Sequence, residues 1–203
     1  WLRRFNLRFC SFPFDWILDF SLFSVLTAIK DGIGSWLQEY DELKPGRKHR
    51  DVLDKKNNIH VLHAFPLDKT VDEYLPEFKK IFWRRNERMR DVLRTSKEIC
   101  FVSNRIWNFG EFYNFLSGIK KMYPDLNIKW VNVSLHSQNN TINEYCIGND
   151  IIYNIETYDV NEQGDDKSNP YFWIGNVELW SKICSHLSLS IDKISQKIQD
   201  NLS

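Results

Sequence analysis

The stretch EICFVSNRIWNFGEFYNFLSGIKKMYPDLNIKWVNVSL, Glu98–Leu135, decides the fold. EICFVSN (Glu98–Asn104) is a short apolar run bounded by polar residues, the pattern of a buried strand. NFGE (Asn108–Glu111) follows as a capping pattern. It opens a helix that turns Phe112, Phe115, Leu116 and Ile119 inward, with Pro124 beyond its end. NIKWVNVSL (Asn127–Leu135) is the next strand, and NDIIYNIETY (Asn149–Tyr158) another. Strand, helix and strand at this spacing predict α/β construction around a mostly parallel central sheet flanked by helices.

Upstream, IHVLHAF predicts one more short strand through Ile59, Val61 and Leu62. It follows KPGRKHRDVLDKKNN, a polar stretch headed by Pro45 and Gly46 that reads as a solvated loop. Thr70–Glu73 (TVDE) has the form of a capping box, and Pro76 predicts a kink or a restart one turn later. The helix beyond it, to about Arg94, carries the stripe Phe78, Phe82, Met89, Val92 and Leu93. Arg85 falls on that face by helical period.

WILDFSLFSVLTAI reads as a buried helix rather than a signal peptide, because no basic leader precedes it and no small-residue cleavage pattern follows. Apolar positions recur through Phe20, Phe23, Leu26, Ile29, Ile33, Trp36 and Leu37, and DGIG breaks them into a helix and a short second one. Residues 159–170 form an acidic loop ahead of a terminal amphipathic helix. The whole, 1–203, is expected to be one α/β domain.

The composition supports a sizeable core and limits function. Of 203 residues 42% are hydrophobic, and eight Trp and fourteen Phe bring large buried areas. Lys+Arg and Asp+Glu balance at 27 each, so the chain lacks the basic excess of a duplex-binding protein. No run of about 18 apolar residues exists, so no membrane span is expected. Cys10, Cys100, Cys146 and Cys184 lie far apart without metal-ligand spacing. They argue against a zinc site or a compact disulfide framework and for a reducing cytoplasm. Neither a metal nor another cofactor is expected. The sequons at Asn132 and Asn139 arise readily by chance in an Asn-rich chain and leave that reading in place.

Ligands of open α/β sheets bind where loops converge beyond the carboxyl ends of strands. That draws attention to HAF and SNR. His60 and His63, three apart in a strand, face opposite sides and are not expected to chelate one metal together. His63, nearer the strand end, is the better general base; a hydrogen-bonded structural role competes with it. Asn104 and Arg105 offer an amide and a cation to an anionic or sugar ligand, and an ordinary turn with a surface ion pair explains them equally well. Arg85, placed inward, needs an internal acid such as Asp15 or a ligand anion. Asp15 stands in SFPFDWI, where Pro13 and the flanking Phe14 and Trp16 would hold it at a cleft edge. An N-cap role ahead of WILDF is the competing reading.

Taken together, LRRFNLR, SFPFDWI, HAF ahead of WRRNERM, ICFVSNR and WIGNVELW resemble a bacterial papain-like cysteine peptidase domain over nearly the whole chain. The resemblance implies a thiol nucleophile activated by His63, with Asp15 orienting the ring. It places the family's cysteine upstream of Trp1, so that Cys10 is not that residue and these 203 residues lack the nucleophile. It also implies a helical half beside an antiparallel barrel, against the alternation read above. Three functions follow: a thiol-type hydrolase acting on a peptide; a non-covalent enzyme or binding domain for a sugar or phosphorylated small molecule, using His63, Arg85, Asn104 and Arg105; and a protein-interaction module docking through the basic helix.

Overall fold

The computed structural model describes residues 12–17, 20–43, 48–103, 109–135 and 141–157. In order they form a 3-10 turn (Pro13–Trp16), α1 (Leu22–Asp31), β1 (Tyr40–Glu42), β2 (His49–Asp54), β3 (Ile59–Pro66), α2 (Val71–Thr95), β4 (Glu98–Ser103), α3 (Phe109–Met122), β5 (Asn127–Leu135), β6 (Thr141–Ile147) and β7 (Asp150–Thr157). The mixture of helices and strands is as expected. The single, mostly parallel sheet is not: there are two sheets, one ordered β1-β2-β3 and one ordered β4-β5-β7-β6. The first is wholly antiparallel. In the second, β5 and β7 run parallel while β6 and β7 run antiparallel. The expectation failed because it passed over β1 and β2 as loop and did not see β6.

Contacts divide the chain into two compact units, 11–99 with 107–128, and the remainder. In the first, the inner face of the antiparallel sheet packs on α2 and the 3-10 turn. Val52, Ile59, Val61 and Phe65 join Ile33, Trp36, Leu37, Phe78 and Phe82 in one buried cluster. Phe65, Phe78 and Phe82 stack in series with centroid separations of 4.9 and 4.1 Å, and Phe14 packs on Trp36 at 5.5 Å. Aromatic anchoring of the SFPFDWI segment is therefore real at Phe14.

The capping box of α2 is complete: Thr70 Oγ1 accepts from the Glu73 amide, and Glu73 accepts from the Thr70 amide. The Thr70 amide and the Thr70 hydroxyl both donate to Glu73 Oε2, and these two bonds hold the Glu73 carboxyl below its usual range. The helix runs unbroken through Pro76, without the expected restart. In its stripe the fully buried polar residue is Asn86, not Arg85. Asn86 Nδ2 donates to the Ala28 carbonyl at 3.1 Å, while its Oδ1 has no partner. Arg85 is half-buried, with its guanidinium 4.8 Å from the Phe82 ring centre. A stripe at Phe78, Phe82, Asn86, Met89 and Leu93 centres one position beyond Arg85, which lets the arginine lie along the helix flank and stack on the ring.

α1 begins later than expected, at Leu22, with Ser21 as N-cap and Gly32 (φ 80°) closing it. Asp15 is therefore not its cap. Phe23 is 76% exposed, because the buried face runs through Leu22, Val25, Ala28 and Ile29. No second helix forms after Gly32; Ile33, Trp36 and Leu37 are buried from a turn instead. α3 buries the four residues expected of it. Gly118 lets α1 approach closely, since a Cβ there would lie 2.5 Å from Leu26 Cδ2.

In the second unit, Trp130, Val131, Val133, Ile152 and Ile155 are buried, and Trp130 packs on Phe101 at 5.1 Å. A row of polar side chains crosses the sheet. Trp130 Nε1 donates to Ser103 Oγ, Ser103 donates to Asn132 Oδ1 at 2.7 Å, and Asn132 Nδ2 donates to Asn154 Oδ1 at 3.0 Å. Asn132 is 1% exposed, so its sequon is no glycan acceptor in the folded chain.

Candidate functional site

The site is built on the β2–β3 hairpin. Its turn, Lys55–Asn58, is organised by Asp54, which is fully buried. The Asp54 carboxylate accepts from the amides of Leu37, Lys56 and Asn57 and from Asn57 Nδ2, at 2.8 to 3.1 Å. A buried carboxylate needs such donors, since an unpaired charge is expensive away from water. The same bonds hold Leu37 and Asn58 at positive φ, 53° and 48°. For the buried, branched Leu37 that conformation is unfavourable unless its surroundings enforce it.

Further along, the hairpin's ladder is interrupted. Val52 pairs with Val61 and Arg50 with Phe65, so Asp51 alone faces Leu62, His63 and Ala64. Two extra residues on β3 preserve the inward parity of Phe65 while lifting His63 off the ladder. A bulge of this kind re-aims a side chain. His63 is exposed although its parity matches the buried Ile59, Val61 and Phe65. Its ring meets that of His49 edge to face at 5.9 Å. Arg50, beside the bulge, is committed to structure: it pairs with Glu42 and donates to the Leu67 and Lys69 carbonyls, tying down the loop that leads to α2.

On the outer face, His60 Nε2 contacts Asp51 Oδ1 directly. The two are diagonal neighbours across the strands, with side chains only 23% and 19% exposed. A carboxylate against Nε2 fixes the ring's orientation and tautomer and leaves Nδ1 for proton transfer. The described residues thus gather three of the chain's five histidines on one hairpin, one of them oriented by an acid.

The sequence-derived residues fare unequally. His60 stays in the regular ladder opposite Leu53, whereas the bulge takes His63 out of the inward row that strand parity would give it. Asp15 lies in the 3-10 turn, but its side chain is outside the described residues, as are Asn104 and Arg105. Arg85 sits on α2 against Phe82. The N-terminal motif LRRFNLR, the acidic loop and the terminal helix also fall outside the described residues. Cys146 is an exposed thiol, and Cys100 is half-buried with its thiol toward the Phe101 carbonyl. Among the described residues no group of three or more His, Cys, Asp or Glu gathers as a metal cluster, and no helix is long and apolar enough to cross a membrane. Sequence reasoning missed Asp51, which lay in a stretch read as loop; only the register of β2 against β3 reveals it.

The chain matches no protein-family model, no curated protein and no solved structure. The likeness to papain-like peptidases accordingly rests on the quoted motifs alone.

Proposed function

We propose that the chain is a hydrolase whose acid–base centre is His60 oriented by Asp51. The observation that carries this reading is the direct Asp51–His60 contact on a half-buried face beside a bulge. In the proposed cycle His60 Nδ1 takes the proton from a water that attacks the scissile carbonyl carbon and gives it to the leaving group as the bond to that carbon breaks. Asp51 stabilises the imidazolium formed in between. The peptidase resemblance supplies the same ingredients, a histidine and an acid, and with them a peptide substrate. It assigned them to His63 and Asp15. The geometry favours His60, because His63 has no acid beside it among the described residues.

The test is turnover of a panel of fluorogenic peptides and activated esters by the wild type, His60→Gln, Asp51→Asn and His63→Gln. Loss of the general base is expected to lower kcat by about 10²–10⁴-fold in His60→Gln, with a smaller loss in Asp51→Asn and little in His63→Gln. Absence of turnover across the panel, or turnover indifferent to His60→Gln, overturns the reading.

A further inference from the structure

From the pair of imidazoles beside the bulge we infer a divalent transition-metal site: His49 and His63 together bind an ion of the Zn²⁺ class across the β3 bulge, with water completing its coordination. This does not rest on the acid–base reading, since it uses neither His60 nor Asp51.

The first argument is placement. The bulge carries His63 out of the buried row and brings it against His49, whose own strand position pairs with Pro66. Without the two additional β3 residues His63 would take the inward parity of Val61 and Phe65, both fully buried.

Spacing is the second argument. With Zn–N bonds of about 2.0–2.1 Å an ion lies roughly 3.2 Å from a ligating imidazole's centre, so two rings on one tetrahedral or more open ion are roughly 5–6.4 Å apart. The observed 5.9 Å falls inside that range. Turning one exposed ring about its side-chain torsions directs both nitrogens to a common point without backbone movement.

Chemistry is the third. Among the described residues neither ring has a hydrogen bond or an ion pair, so no acid or donor competes for its lone pair. Neutral imidazoles suit Zn²⁺, Cu²⁺ and Ni²⁺, whereas Mg²⁺ and Ca²⁺ prefer oxygen ligands. Two protein ligands leave the remaining positions to water, which makes the site exchangeable and open rather than closed and structural.

Calorimetric titration of ZnCl₂ into the full chain at neutral pH tests the inference, with His49→Gln, His63→Gln and His60→Gln run beside the wild type and circular dichroism confirming that each is folded. One saturable site is expected in the wild type and in His60→Gln, and its loss in both His49→Gln and His63→Gln. The wild-type site is also expected to vanish at a pH below the imidazole range, because protonation removes the ligands. Absence of saturable binding in the wild type, or binding that survives either His49→Gln or His63→Gln, overturns the inference. Retention of the site in His60→Gln alongside unchanged turnover by that variant would sink the acid–base proposal while leaving the metal site standing.

Discussion

The two sheets solve one problem, a polar group in a buried place, with different chemistry. The antiparallel sheet buries a full charge: Asp54 draws in three backbone amides and one side-chain amide, all from the turn that follows it or the segment that ends at Leu37. The four-stranded sheet buries Asp150 at the start of β7, but across its middle it uses neutral groups: Ser103, Asn132 and Asn154 bond one another across three adjacent strands. A charge can organise loops because it accepts from several directions at once. A row of amides instead registers strands, because each must find its complement at one position of the neighbour. The hairpin whose turn the charge fixes also carries the Asp51–His60 contact.

Removing each device separates the two cases. The largest loss is expected from Asp54→Ala, which strands the buried Leu37 amide, takes the acceptor from the Lys56 and Asn57 amides and releases Leu37 from its strained conformation; about 3 kcal/mol or more should disappear in urea denaturation. Asn132→Leu should cost about 2 kcal/mol, since it leaves the Ser103 hydroxyl and Asn154 Oδ1 without their buried partner. A cost for Asn132→Leu equal to or above that of Asp54→Ala would break the comparison. The smallest effect concerns pH. The Tyr40 hydroxyl donates to Asp72, and that bond pushes the phenol up to about 12. A raised phenol favours the folded state while protonated, so its contribution is complete below pH 10, the unfolded value, and is lost as pH rises toward 12. Alkaline absorbance titration should show tyrosines ionising late, and Tyr40→Phe should reduce that component while leaving the contribution of Tyr153, whose phenol burial also pushes up.

Several elements were legible because their signals are local. The capping box fixes the start of α2, the inward stripe of α3 follows helical period, and β3, β4 and β5 are apolar runs with polar ends. β2 was not legible. HRDVLD contains two apolar residues, and its charges look like those of a loop until their partners are known: Arg50 finds Glu42, and Asp51 finds His60. Pro76 misled for a related reason. A proline near the start of a helix sacrifices one bond, which the remaining turns and the buried Phe78 and Phe82 outweigh. Arg85 misled by one helical position, the difference between facing the core and lying over the ring of Phe82.

By itself the sequence determined what depends on neighbours a few residues away: the start of α2, the apolar runs that become strands, and a composition without basic excess. Tertiary structure decided the split into two sheets, the bulge that lifts His63 toward His49, and the choice of Asp51 as the acid beside His60. Those outcomes depend on cross-strand register, and register is set by which backbone groups pair and which faces are buried between segments distant in the chain. No local pattern encodes it.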